Sequence, residues 1–198
     1  MSHKAFVFDT FGFHKKLSNI ILDCATMDNN NLLELFIDEN FNFLTSPYSY
    51  DFLDSDWRQD LETADIQELS DFAMTFFYEI EDEPGCEYTW NAILETLKGF
   101  ALLLKPEYYI LGNALKTKNF ALDPGKLGLG FIDAVHISTM HTELISLRDE
   151  IWNSYDQNVD KSKLLYEPSY TEFMEGYESL ISIYEQAQKR GHGLLMTF

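Results

Sequence analysis

Basic residues are scarce in this chain: 14 lysines and arginines stand against 33 aspartates and glutamates, for a formal charge of −19. Nucleic-acid binding draws its affinity from cations that displace phosphate counterions, so this composition excludes a phosphate-backbone binder. The same deficit argues against docking on anionic lipid headgroups. Cysteine is nearly absent. Cys24 and Cys86 form no CxxC spacing and stand near no histidine pair, which fits reduced cytosolic thiols rather than a disulfide framework. Long apolar runs are missing too. The opening run stops at Asp9, and Phe100 to Leu104 is closed by Lys105 and Pro106, whereas a membrane span needs about 20 apolar residues. No signal-peptide core is present, and the expectation is a cytoplasmic protein with no membrane segment.

Motifs that carry chemistry are also missing. HExxH, EF-hand and GxSxG patterns do not occur. The segment Pro124-Gly-Lys-Leu-Gly-Leu-Gly130 meets neither the phosphate-loop nor the dinucleotide-loop spacing. His136 and His141 lie five apart, about 140° around a helix, whereas ligand pairs want three or four. Asp133 and His136 do share a helix face, which suits an oriented base or a surface hydrogen bond. Carboxylates are plentiful, but a glycosidase-type pair is defined by separation in space. No catalytic residue, cofactor or metal set is assigned.

What is present is material for a core. The 198 residues are 45% hydrophobic and 15% aromatic, enough to exclude disorder despite the charge. A chain of this length buries roughly 70% of its unfolded surface. No repeat or Pro/Ser-rich linker divides it, so one domain over 1–198 is expected. The charge is uneven: residues 1–97 hold twenty acids and four bases, and residues 98–198 hold thirteen acids and ten bases. Asp51 to Glu95 contains fourteen acids and one base, threaded with aromatics from Tyr50 and Phe52 to Tyr88 and Trp90. A solvated face explains such a run. So does a surface that steers a basic partner and holds its cations beside carboxylates and rings. The aromatics fit a core equally well.

Ala5 to Phe13 is rich in strand formers and reads as an opening strand broken by Gly12. Leu17–Cys24 and Asn30–Phe36 read as short helices. Leu61 to Ile80 recurs at helical spacing, and Glu83-Pro84-Gly85 marks a turn. Thr89 is placed to cap a helix to Leu97. Tyr108–Gly112 reads as a strand and Asp123–Gly130 as a loop. Ile137 to Tyr155 then repeats as a helix with Asp133 at its start. Ser169 and Glu172 form a capping box for a helix ended by Gly191, before a strand over Leu194–Phe198. Strands at both ends with helices between predict an α+β fold, with a small mixed or antiparallel sheet containing both terminal strands.

Trp90-Asn-Ala-Ile-Leu-Glu-Thr-Leu-Lys-Gly99, Gly130-Phe-Ile-Asp-Ala-Val-His-Ile137, Tyr155-Asp156, Leu165-Tyr166-Glu167-Pro168 and the closing Tyr184 to Phe198 follow one another in order. Together they resemble the YfbM-like bacterial proteins, a family of unknown function, over about residues 90–198. Glu167 is inserted in the Tyr-Pro element, and residues 1–89 lie outside the resemblance. It implies a single α+β domain and brings no catalytic residues. Small acidic bacterial domains of this sort also resemble immunity proteins of toxin systems.

Two functional expectations follow. The first is a non-catalytic, immunity-type binding protein. Asp51, Asp54, Asp56, Asp60 and Glu62 would stand in for phosphates toward a basic protein, with Trp57 as the buried anchor. The alternative is an enzyme or small-ligand protein with a pocket near Gly125–Gly130, Trp90, Asp133 and His136. An interaction scaffold with no readable chemistry also stays open, and the oligomeric state is not fixed.

Overall fold

The two ends of the chain pair with each other. Phe6, Val7 and Phe8 at one end, and Leu194, Leu195 and Met196 at the other, suit a pleated, buried surface. In a computed structural model describing residues 2–78, 84–123 and 128–198, β1 (His3–Phe8) runs antiparallel to β4 (Gly193–Thr197). Lys4 lies opposite Thr197 and Phe8 opposite Gly193. Strand β2 (Pro84–Glu87) flanks β1, and β3 (Leu129–Ile132) flanks β4, giving an antiparallel sheet of order β2-β1-β4-β3. The expected α+β class holds, with both terminal strands at the centre of the sheet.

Side chains alternate across these strands. Ala5, Val7, Leu194, Met196 and Ile132 join one core cluster, while Phe8, Leu195, Leu129 and Phe131 join another. Both faces are apolar, so both need a helical layer. The layers divide by sequence. The Phe8 face is covered by α1 (Thr10–Lys16), α2 (Ser18–Met27), α3 (Asn31–Asn40) and α4 (Ile66–Met74). The Ala5 face is covered by α5 (Trp90–Leu97), α6 (Pro106–Leu111), α7 (Ala134–Leu147), α8 (Ile151–Asn158) and α9 (Tyr170–Arg190). The helices of residues 10–74, in the acid-rich half, therefore form one layer and those from residue 90 onward the other, with Leu122 of the second half packing into the first layer.

Local chemistry accounts for most departures from expectation. The opening strand ends at Phe8, because the Asp9 carboxylate accepts the Gly12 N–H at 2.9 Å and caps α1. The expected strand at Tyr108–Gly112 is helix α6, started by Pro106 at its first turn, where a fixed φ suits a helix. The long helix after Asp133 breaks at Arg148–Glu150, whose end N–H groups bond three residues back, to Ile145 and Leu147. The turn expected at Glu83-Pro84-Gly85 is corrected in part: Pro84 and Gly85 belong to edge strand β2, where a missing proline N–H is tolerated. Glu83, Ile80 and the Pro124–Leu127 part of the glycine segment lie outside the described residues. Gly130, expected in a loop, sits in β3, where a Cβ would collide with the Leu111 carbonyl oxygen. Helix α9 follows expectation closely, with both halves of the Ser169–Glu172 capping box formed and Gly191 left-handed at φ 68°.

One buried polar residue ties the sheet to the second layer. His3 is fully buried; its Nδ1 accepts the Cys86 N–H at 3.0 Å, so Nε2 carries the proton and donates to the Ile110 carbonyl at 2.8 Å. Burial pulls the ring down from about 6.5 to about 4, only partly opposed by the Ile110 hydrogen bond. The unfolded chain therefore takes up a proton that the folded one refuses. The stability from neutral His3 is complete above pH 6.5 and is lost as pH falls toward 4. Urea titrations of wild type and His3→Gln should differ most above pH 6.5, by about 2–3 kcal/mol for the lost buried hydrogen bonds. The gap should narrow steadily below that pH.

Candidate functional site

The connection between α3 and α4 is long and rich in turn formers, so its shape depends on hydrogen bonds rather than on regular structure. Ser46 N–H bonds the Asp51 carbonyl at 2.8 Å, Tyr50 N–H bonds the Ser46 carbonyl at 2.9 Å, and Leu53 N–H bonds the Leu44 carbonyl at 2.9 Å. Thr45 pairs with Phe52 as an isolated bridge, and its N–H donates to the Thr75 hydroxyl at 3.1 Å. Leu44 and Leu53 are buried beneath this turn. Tyr50 closes it at φ 66°, a left-handed conformation that costs a tyrosine roughly 1–2 kcal/mol. Above it, Phe43, Tyr48, Tyr50 and Phe52 are 70, 53, 59 and 75% exposed.

The connection continues through a 3₁₀ turn, Trp57–Asp60. Trp57 is only 1% exposed and packs in the core, its indole N–H donating to Asp38 Oδ1 at 3.1 Å. The expected partner anchor is thus an anchor for this chain's own fold. Arg58 lies over the Trp57 ring at 4.4 Å and grips Asp38 with two hydrogen bonds of 2.8 and 2.7 Å, reaching Glu34 at 3.2 Å. These bonds hold the Asp38 carboxyl below its usual range.

A buried carboxylate fixes the far end of the loop. Glu68, in the first turn of α4, accepts the N–H groups of Glu62, Thr63 and Ala64 at 2.7, 2.8 and 2.6 Å. It also takes the Thr63 hydroxyl at 3.0 Å and the Tyr48 hydroxyl at 2.9 Å. Burial alone would push this carboxyl up, but the donors outweigh it and hold it at about 2. One turn on, burial raises Asp71 to about 7, despite a hydrogen bond from Gln67, with Asp65, Glu68 and Asp123 adding to the rise.

Asp51, Asp54, Asp56, Asp60 and Glu62 are all exposed, and Asp54 also accepts the Asp56 N–H at 2.7 Å. Of the alternative residues, Asp133 and His136 both meet Tyr108, the Asp133 N–H donating to its hydroxyl at 3.2 Å. Trp90 packs its ring edge-on to Phe198 at 4.9 Å, inside a cluster that includes His3. Asp133 does not cap α7 with its side chain; it pairs with His14 at 2.9 Å. His136 stands edge-on to Tyr108 at 5.7 Å. Among the described residues, no three histidine, cysteine, aspartate or glutamate side chains are grouped to hold a metal ion.

An open groove of about 930 Å³ escaped the sequence reading. It is lined by Phe43, Thr45, Tyr50 and Phe52 from the turn, by Thr75 to Tyr78 after α4, and by Val7, Asp9, Arg190 and His192 at the strand ends. The signal available was Pro47-Tyr-Ser-Tyr-Asp-Phe52, aromatics set among turn formers where no regular element can bury them all. Its walls come from four segments distant in sequence, 7–9, 43–52, 75–78 and 190–192, which no local pattern links. A smaller cavity of about 280 Å³ lies between Glu87–Thr89 and Tyr166, Glu172 and Gly176. Glu172 there is already committed to the α9 cap.

No family model, curated protein or solved structure matches this chain. Among the described residues, no helix is long and apolar enough to cross a membrane.

Glu68→Gln removes the charge from five hydrogen bonds, a loss of about 2 kcal/mol. Its stabilisation is present above pH 4.5 and lost as pH falls toward 2, because the folded carboxyl is depressed. Denaturant titration should show the loss, and amide exchange at Glu62–Ala64 should accelerate. Asp71 has the opposite sign. Its raised folded pKa penalises folding progressively as pH rises from 3.8 to 7, so Asp71→Asn should stabilise the chain above pH 7 and have no such effect below pH 3.8.

Proposed function

We propose that this chain is a non-catalytic binding protein of the immunity-inhibitor kind, presenting residues 43–62 to a basic protein partner. One observation carries the reading: a single pinned segment exposes Phe43, Tyr48, Tyr50 and Phe52 together with Asp51, Asp54, Asp56, Asp60 and Glu62. Exposed aromatics supply contact area at low entropic cost, and interface energy concentrates in such residues. The carboxylates around them steer a basic surface into place and repel acidic ones. The hydrogen bonds at Ser46 and Glu68 hold the segment before a partner arrives, which lowers the ordering cost of association. Arg58, the one base of the segment, is held against Asp38 and Glu34 by this chain's own fold. A cytoplasmic setting that keeps Cys24 and Cys86 as thiols, no role for nucleic acid, and a YfbM-like scaffold over residues 90–198 belong to the same proposal.

The test compares position at constant charge. Asp51, Asp56, Asp60 and Glu62 are changed to their amides in one variant, and Asp149, Glu150, Glu167 and Glu175 in another. Both are titrated calorimetrically with a panel of small basic proteins over a range of salt. The first set should weaken binding about tenfold or more and flatten its salt dependence, as loss of steering charges does; the second should change it less than about threefold. Equal effects from the two sets would show that net charge alone attracts the panel and would overturn the reading.

A further inference from the structure

We propose that the small cavity between β2 and the N-terminal half of α9 binds a quaternary ammonium ion, held by Glu87 and Glu175 beside the rings of Tyr88 and Tyr166. It is a second site, sharing no residue with the surface assigned to the protein partner.

Packing holds the cavity in shape. Gly176 lets α9 approach the end of β2, since a Cβ there would meet the Thr89 hydroxyl at 2.1 Å. Thr89 is buried and donates to the Cys86 carbonyl at 2.6 Å, which fixes that wall. Tyr166 is held as well: its hydroxyl donates to Glu172, and Glu172 accepts the Ser169 N–H at 2.8 Å. The ring is therefore in place before a ligand arrives, which lowers the ordering cost of binding. A volume of about 280 Å³ lies just under the usual range for ligand sites, roughly 300–1,000 Å³, and so admits a molecule of a few heavy atoms.

Charge in this cavity has one sign. Its lining includes Glu87, Glu172 and Glu175 and no lysine, arginine or histidine. The lining residues come from two stretches, 59–97 and 164–188, that contain no basic residue or histidine anywhere along their length. The bases that bound those stretches are engaged elsewhere: Arg58 with Asp38 and Glu34, Lys98 with Glu95 and Glu107, Lys163 with Asp160, and Lys189 with Glu185. Glu172 is occupied by the α9 cap and Tyr166. That leaves Glu87 and Glu175, and among the described residues neither is in an ion pair. A cation for this cavity comes from outside the chain. Tyrosine faces favour one that sheds water easily, and a trimethylammonium group, with no N–H to hydrate, enters at lower cost than a primary ammonium.

Choline and its neutral carbon isostere, in which a tert-butyl group replaces the trimethylammonium, have one shape and differ by one charge. Each is titrated into the isotope-labelled full chain at constant ionic strength and followed by amide resonances. Choline should shift the Gly85, Thr89 and Gly176 amides saturably and bind about tenfold more tightly than the isostere, the scale of a partly desolvated cation–π contact. Tyr88 and Glu175 are exposed, so Tyr88→Leu and Glu175→Gln spare the core; each should weaken choline about threefold or more. Asp51→Asn, on the partner surface, should leave its affinity unchanged. Absence of a saturable shift, equal affinity for the isostere, or binding that survives both variants would overturn the assignment. So would an equal loss from Asp51→Asn, which would mark attraction by net charge alone. None of these outcomes bears on the protein-binding role, which the two charge-position variants test separately.

Discussion

Everything in this molecule hangs on the ladder between β1 and β4. Each half of the sequence supplies one pair of strands, β1–β2 and β3–β4, and the β1–β4 ladder joins them into a single sheet whose central strands bring apolar side chains to both faces. A sheet that is apolar on both sides needs two helical layers. The first layer packs on Phe8, Phe131 and Leu195, and the second on Ala5, Val7, Leu194 and Met196. His3 links the same strand to Cys86 on β2 and Ile110 on α6. Displacing β1 by one residue would turn its side chains to the wrong layers and strand that ring among apolar neighbours.

The division into layers explains where the acid goes. Residues 1–97 carry most of the net charge, and residues 10–74 of that half form the helices on the Phe8 face together with the loop above them, while α5 joins the other layer. Apolar residues of that half point inward in register with the sheet, so most of its carboxylates among the described residues are left facing solvent. The exceptions are informative. Glu68 is buried because loop N–H groups surround it, and Asp71 is half-buried with Gln67 as its donor, so its carboxyl is raised to about 7. One carboxylate organises the exposed loop. Its neighbour one turn away is held against its own chemistry.

Features written in local chemistry were legible in the sequence. The Ser169–Glu172 box, the Gly191 stop and the pairing-prone ends all need only neighbouring residues or strong propensity. The Tyr108–Gly112 stretch was misread because Tyr108, Tyr109 and Ile110 are all buried, which erases the periodicity that distinguishes helix from strand. Leu129 and Gly130 were read as loop because the glycines around them suggest permissive backbone rather than a strand. The candidate surface was half legible. Its acids are visible as a run, but nothing local separates buried Trp57 from exposed Phe52, since cores and interfaces favour the same rings. Only the packing of Trp57 between Asp38 and Phe72 decides it. The groove was not legible, because Tyr50, Tyr78 and His192 meet only after the sheet closes.

The strand order has a kinetic consequence. β1 pairs with β2 some 80 residues later and with β4 at the opposite end of the chain, and β3 and β4 are separated by three α-helices, α7 to α9. The sheet contains no local hairpin, so every ladder must close a long loop before it gains a contact, which places the chain among slow folders for its size. During synthesis the first half waits with Phe8 and Phe13 lacking Leu195 and Phe131. Exposed apolar strands in that interval invite aggregation. The waiting half is also the half with twenty acids and four bases, and mutual repulsion between such chains keeps copies apart until the last strand arrives.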